Sequence, residues 1–308
     1  MAATLIQDTE VIPVPALSML IYGPPGAWKT SIAQTAEKPL TLDFDRGAHR
    51  AFNRRAVFRF DKFSDTATPE VVSQIQSHST VVIDTIGRML DMLSLEIIQS
   101  GAKMGTTGGG LSLQGFGTLK ARFSSWVSGL RLAGKDLVFL CHEREEKDGE
   151  LRYMRPDIQG GSYQEVMKFT DLVGYLQVDG RGVRSLDFNP SDRHLGKNAA
   201  GWEAITVPSL KERPAFLAEL LADAKRIIGK TAVASAQAAK TVDSWSEKID
   251  GAVELTEFDS LVSEINEAGL GKSETSQIKK QILAAAESKG MKFDKATKRF
   301  VFAQEDAA

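Results

Sequence analysis

Two rhythms of apolar residues alternate along the first two thirds of this chain. Short solid runs, LSMLIY (17–22), LTLDFD (40–45), AVFRF (56–60), TVVID (80–84) and DLVFLC (136–141), are too short for helices and predict buried strands. Between them, 29–37, 69–77 and 86–99 read as helices, clearest in the spacing of Ile86, Met89, Leu90, Leu93 and Ile97. A further helix runs to about 132 after the glycine-rich break GTTGGG (105–110). Strands alternating with helices need crossover connections, which predicts an α/β fold with a mostly parallel central sheet buried on both faces.

Beyond His142 the texture changes. EREEKDGELRYMRPDIQGG (143–161) predicts a charged loop, and DLVGYLQVD (171–179), VRSLDF (183–188) and WEAITV (202–207) predict shorter strands that close or extend the sheet. Phe216, Leu217, Leu220, Leu221 and Ile228 line one side of a helix over 214–228 that Gly229 stops. The small, polar run KTAVASAQAAKTVD (230–243) predicts a linker. Thr256 and Asp259 have capping-box spacing ahead of Phe258, Leu261, Val262 and Ile265, and a second helix carries Ile278, Ile282 and Leu283 before Gly290. The expected organisation is a core over 1–229, a linker over 230–243 and a small helical domain over 244–308. So few large apolar side chains make a marginal independent core, so that domain is expected to dock on the core or on a partner.

Bulk composition changes this picture little. Apolar content is 42% and charged content 25%, ordinary for a globular chain. Thirty-eight lysines and arginines stand against 40 aspartates and glutamates, so any nucleic-acid contact must come from local patches and not from overall charge. Cys141 is the only cysteine, which rules out an internal disulfide; lying in an apolar run, it reads as a buried thiol in a reducing cytosol. A basic start followed by an apolar leader is not seen, nor any apolar run near the ~20 residues that cross a bilayer, so a cytoplasmic protein without a membrane partner is expected.

The chemistry concentrates at strand ends. GPPGAWKT (23–30) follows a strand and opens a helix, the context in which consecutive backbone N–H groups wrap a phosphate chain. Gly23, Pro24, Pro25, Gly26, Ala27, Trp28, Lys29, Thr30 and Ser31 are the candidate nucleotide-binding residues, with Lys29 reaching the terminal phosphates of ATP and Thr30 ligating Mg2+. Trp28 stands where the pattern has glycine; a left-handed backbone there costs on the order of 1–2 kcal/mol. Asp84, at the carboxyl end of TVVID, is the second magnesium candidate. Asp43 and Asp45 share one face of a strand end, and one of them, with Asp45 preferred, is the candidate to orient or deprotonate the attacking water. A helix cap or solvated strand end is the plainer reading of that pair. His142 ends its strand where a polar side chain can meet the γ-phosphate. Arg46, His49, Arg50, Arg54, Arg55 and Arg59, with Phe52 and Phe58 among them, suit either stacking on single-stranded nucleic acid or solvation and subunit contacts.

Taken in order, GPPGAWKT, LDFDRGA, TVVIDTIG and LVFLCHE resemble the RecA/RadA-core P-loop ATPases, and most of all the phage-encoded single-strand annealing recombinases, over about residues 17–210. The resemblance implies a RecA-like core, DNA-stimulated ATP hydrolysis with Lys29, Asp45, Asp84 and His142 as the catalytic set, and a homo-oligomer, ring or filament, on single-stranded DNA. It implies DNA contact through the 101–110 and 143–163 loops, with Lys103, Arg144, Lys147, Arg152 and Arg155, and a contact to the neighbouring subunit's nucleotide from Arg193 or Lys197. The glutamates and aspartates of the second loop allow the alternative of a solvated charged hairpin. The cytoplasm expected is that of a phage-infected or prophage-carrying bacterium. The competing functional reading is a nucleotide-dependent scaffold or loader with weak hydrolysis, whose C-terminal helices recruit a replication partner such as a single-strand-binding protein.

Overall fold

The first apolar run forms β1 (Ser18–Gly23), buried along its whole length, and the chain turns over the glycine-proline segment into a short helix, α1 (Lys29–Ala33). The computed structural model describes residues 14–148, 151–158 and 161–303. The core continues through β2 (Pro39–Asp43), β3 (Ala56–Arg59), α2 (Pro69–Ser77), β4 (Thr80–Asp84), α3 (Ile86–Gln99), α4 (Leu113–Leu132), β5 (Asp136–Asp148), β6 (Leu151–Pro156), α5 (Ser162–Phe169), β7 (Leu172–Val178) and β8 (Arg184–Asp187), then the two-residue strands β9 (Lys197–Asn198) and β10 (Ile205–Thr206). The main sheet has ten strands in the order β10-β8-β7-β1-β5-β4-β2-β3, with β6 on β5 and β9 on β7. From β7 to β3 the neighbours run parallel, whereas β6, β8, β9 and β10 are antiparallel additions. The chain is an α/β protein with a mostly parallel central sheet.

Solid apolar runs follow from burial on both faces. Leu20, Tyr22, Val81, Ile83, Leu137 and Phe139 face a cluster with Leu93 and Ile97 of α3 and Phe123 and Val127 of α4. Met19, Ile21, Val82, Val138 and Leu140 point the other way, onto Ile32 of α1 and onto Leu217 and Leu221. Alternate residues of one strand thus serve two helical layers.

Two compact units divide the chain, Val14–Ile228 and the residues from Gly229 onward. The sequence reading needs four corrections. First, 143–161 is not a loop: β5 extends to Asp148 and pairs with β6, and α5 follows. The charged run of β5 faces a mixed strand, with Glu146 opposite Tyr153, Lys147 opposite Arg152 and Glu145 opposite Met154, so no clean period-two signal marks the pair although Met154 packs on the core. Second, 230–243 is helix and not linker. α6 spans Phe216–Gly251, and the alanines, lysines and glutamines between 230 and 243 are good helix formers without a glycine or proline among them. Third, α7 (Leu255–Glu267) is capped by Glu254 and Glu257, not by Thr256 and Asp259.

Fourth, the second unit is not all helical. After α8 (Lys272–Ser288) come β11 (Met291–Asp294) and β12 (Arg299–Phe302), an antiparallel pair. Its core is its own: Trp245, Ile249, Phe258, Leu261, Ile265, Ile278, Ile282, Met291 and Phe300 pack together. Leu283, expected on the buried face of α8, is 46% exposed. No helix among the described residues is long and apolar enough to cross a membrane.

Helix across 230–243 is testable, because a proline inside a helix removes a hydrogen bond and clashes with the preceding turn at a cost of about 3 kcal/mol, whereas a linker accepts it. Ala239 is exposed in α6. Ala239→Pro is expected to lower helical ellipticity and to open Lys230 and Lys240 to trypsin. Unchanged digestion would support a linker.

Candidate nucleotide site

Register brings the sequence motifs to one edge. Gly23 of β1 lies beside His142 of β5, Asp84 of β4 beside Leu140 of β5, and Asp43 of β2 beside Asp84. Gly23, Asp84 and Asp43 sit at the carboxyl ends of parallel strands, where open α/β sheets bind ligands, whereas His142, expected to end its strand, lies midway along β5, where parallel pairing with β1 stops and antiparallel pairing with β6 begins. A Cβ at Gly23 would stand 2.3 Å from the Leu176 carbonyl oxygen, so only glycine lets β1 pass β7 there. Gly26 has φ +75°, and Trp28 is left-handed at φ 78° and ψ 22°. The tryptophan therefore carries the strain its position implies. Its indole is held from two sides: the Arg184 guanidinium lies 3.6 Å above the ring centroid, and the Phe52 ring meets it edge-on at 6.1 Å. A cation over an exposed indole returns about 0.5–1 kcal/mol, enough to offset part of that strain.

Inside the loop, Ala27 is buried and its N–H donates to the Pro24 carbonyl at 3.4 Å, while Pro25 is exposed. Lys29 is buried, and its Nζ donates to the carbonyls of Gly23 and Pro24, both at 2.8 Å. Burial depresses its pKa, against the opposing pull of Asp84. Ser31 is buried, and its carbonyl accepts from Asn53 Nδ2 at 3.0 Å, tying the loop's helix to the 51–55 segment. Thr30 Oγ1 donates to Asp84 Oδ2 at 2.7 Å. Burial raises the Asp84 pKa to about 6, with the Thr30 hydrogen bond acting in the lowering direction. The peptide between Asp84 and Thr85 is cis.

One hydroxyl and one carboxylate held together suit Mg2+, which is bound through one or two protein oxygens plus substrate phosphates, not through an all-protein cage. No group of three or more His, Cys, Asp or Glu side chains among the described residues is arranged to hold a metal.

The two aspartates of LTLDFD have separate fates. Asp43 is fully buried, and its carboxylate accepts from the backbone N–H groups of Gly47 and Ala48 at 3.0 and 3.1 Å, so it caps the turn after β2. Asp45 is partly open, with Arg50 and Arg88 each 3.7 Å away and His142 Nε2 4.0 Å away. His142 Nδ1 is buried without a hydrogen-bond partner. Burial and then Lys29 lower the His142 pKa, so the ring is neutral at physiological pH. A cavity of about 670 Å³ opens beside this group rather than over the phosphate loop, lined by Arg88, His142, Asp157, Ser162 and by Gly109 to Leu111. Arg88 was missed by the sequence reading; its signal was the arginine one helical turn beyond Asp84. Arg184, distant in sequence, left no local signal at all.

Arg144 meets Glu146 at 2.6 Å, Arg155 meets Glu146 at 3.1 Å and Arg152 meets Glu145 at 3.5 Å, so these three are paired along the β5–β6 hairpin. Lys147 and Lys103 are exposed. Lys197 Nζ donates to the Thr170 carbonyl at 2.5 Å within its own chain, which ties up the cation proposed for a neighbour's nucleotide. Arg193 is exposed and its carbonyl accepts from Met154 N–H. In the basic cluster, Arg46 pairs with Asp61, and Arg59 lies 3.9 Å from Asp43.

Residues 16–200 match the family described as AAA domain. No curated protein matches the chain. Among solved structures, the KaiC-like protein of the hyperthermophilic archaeon Pyrococcus horikoshii OT3 is 12% identical, with 62% of this chain and 89% of that chain covered and a TM-score of 0.33. The N-terminal domain of zonular occludens toxin from Neisseria meningitidis is 13% identical over 63% of this chain and 94% of that chain, with a TM-score of 0.30.

Asp84 ties stability to pH in a defined direction. Its carboxyl binds a proton more tightly folded, near pH 6, than unfolded, near 3.8, so its contribution favours folding at low pH and fades as pH rises through that window. Asp84→Asn is therefore expected to raise the melting temperature at pH 7.5 and to abolish magnesium-dependent nucleotide binding. In wild type the magnesium requirement should rise as pH falls through about 6. Calorimetric melting and magnesium titrations of both proteins check this; a less stable Asp84→Asn protein at pH 7.5 would contradict it.

Proposed function

The chain belongs to the AAA domain family, a family of P-loop NTPases, and from that premise we propose that it binds and hydrolyses ATP with Mg2+ as an oligomer on single-stranded DNA, promoting strand annealing. The observation that carries the nucleotide part is the 2.7 Å hydrogen bond between Thr30 and Asp84 beneath the phosphate loop. It joins the two oxygen ligands that magnesium needs at the point where Lys29 also sits. Bound there, Mg2+ supplies charge neutralisation to the phosphates.

In the hydrolytic step, Asp45 takes a proton from water as the water oxygen bonds to the γ-phosphorus. The bond from that phosphorus to the bridging oxygen breaks, and ADP leaves. Lys29 and the loop amides hold the phosphates, Asp43 braces the turn that carries Asp45, and neutral His142 offers a hydrogen bond toward the transferred group.

Support for the DNA part is the cavity that meets Asp45's neighbours Arg88 and His142 on one side and Gly109 to Leu111 with Asp157, Ile158 and Ser162 on the other. A nucleotide-dependent shift at Arg88 or His142 would reach both segments through it. Phosphates of a strand would have to compete with Glu145 and Glu146 for the hairpin arginines, so binding should be weak and steeply salt-dependent. The test is phosphate release with and without single-stranded DNA at low salt. Wild type should be stimulated and should anneal complementary strands, and Lys29→Ala should turn over ATP slower by on the order of a hundredfold. Absence of both DNA binding and stimulation would reject the DNA reading while leaving the nucleotide site intact.

A second reading, a scaffold or loader with weak hydrolysis, is favoured by one feature: the left-handed Trp28 clasped by Arg184 at the centre of the phosphate loop. On that reading wild type binds ATP yet is no faster than Lys29→Ala, and Trp28→Gly gains turnover. On the leading reading Trp28→Gly leaves turnover equal or lower, because it removes the Arg184 contact. Single-turnover assays of the three proteins separate the two.

A further inference from the structure

The second unit carries a groove that the nucleotide chemistry does not use. It has a volume of about 550 Å³ and lies between α7, α8 and the β11–β12 hairpin. Its floor is apolar, formed by Val262, Ile282, Leu283 and Phe293, and Leu283 is 46% exposed although α8 has a buried face available. Its rim is cationic. Lys279, Lys295 and Lys298 line it, and none of them forms an ion pair among the described residues; Lys279 Nζ donates only to the Asn266 amide oxygen, at 2.6 Å. The single carboxylate in the lining, Asp259, is engaged by the Phe300 backbone N–H at 2.8 Å. Three ammonium groups without an ion pair among the described residues, against one committed carboxylate in the lining, leave an excess of positive charge at the rim on a chain whose net charge is −2.

An exposed leucine in a concave apolar floor, ringed by unpaired lysines, is what an interaction site looks like and what a solvated helix face does not need. We propose that this groove binds an acidic peptide segment of a partner protein, with a large apolar side chain of that segment seated against Leu283 and Phe293 and its carboxylates on Lys279, Lys295 and Lys298. Charge complementarity selects the occupant. A nucleic-acid strand would meet the Asp259 carboxylate and a mainly aliphatic floor of Val262, Ile282 and Leu283, and a basic peptide would be repelled by the rim. The unit has its own core, so the site is built independently of nucleotide binding.

Fluorescence anisotropy of the full-length protein tests this with a short labelled peptide of aspartates followed by leucine and phenylalanine. The expected result is saturable binding that weakens with salt and falls roughly ten-fold in Lys295→Glu/Lys298→Glu and in Leu283→Glu, the scale expected for losing rim charges or an apolar anchor. Both variants alter exposed side chains, and unchanged melting curves and ATP turnover would show that the fold and the loop at 23–30 are intact. A matched peptide with serine in place of leucine and phenylalanine should bind much more weakly. Equal binding of the two peptides, insensitivity to the variants, or no binding at all would overturn the proposal. So would a Leu283-dependent dimer of the protein itself, which would make a second copy the occupant. None of these outcomes bears on the ATP reading, which fails only if wild type does not bind nucleotide.

Discussion

Register of the parallel strands is the constraint on which everything else in the core rests. Because β1, β5, β4 and β2 run the same way in a fixed register, they bring Gly23, His142, Asp84 and Asp43 to one edge of the parallel sheet. A slip of one residue would exchange the two faces of a strand and send Met19 and Ile21 into the layer that Leu20 and Tyr22 occupy. The two helical layers therefore police the position of the site. Packing energy spread over dozens of buried side chains fixes the placement of a few polar atoms, such as Thr30 Oγ1 and Asp84 Oδ2, to hydrogen-bonding distance.

Division of labour between Asp43 and Asp45 shows how closely related side chains come to differ. Two residues apart on a strand end, they begin with the same chemistry. Asp43 turns inward and spends both oxygens on the backbone of the following turn, while Asp45 stays partly open beside two arginines and a histidine. The first makes the local structure rigid; the second is left able to react.

Much of the core was legible because its physics is local or periodic. Solid apolar runs marked the buried strands, and GPPGAWKT and TVVID announced their own surroundings through residue spacing. What escaped reading depends on partners far away in sequence or on the lack of a face. The β5–β6 hairpin pairs charged residues of one strand with a mixed strand in which Met154 packs on the core, so no clean alternation marks it, and its arginines are silenced by glutamates, two of the three pairs being made only by strand pairing. The alanine-rich stretch of α6 looks like a linker to the eye that counts small polar residues and like a helix to the one that counts propensity. Leu283 is apolar at helical spacing yet points outward, a distinction the sequence does not encode without knowing where the β11–β12 hairpin lies.

Trp28 and Arg184 lie more than a hundred and fifty positions apart, yet they make one unit of conformational bookkeeping. The guanidinium of Arg184 donates from one terminal nitrogen to the Gly182 carbonyl at 3.1 Å, while its Nε is buried without a hydrogen-bond partner, so the stack with the indole is one of its few favourable contacts. Restoring glycine at position 28 relieves a strained backbone but strands a half-buried cation; changing the arginine alone leaves the strain uncompensated. The two positions are thus coupled: the residue on β8 sets part of the cost of what stands in the phosphate loop, although the sheet and not the loop carries it.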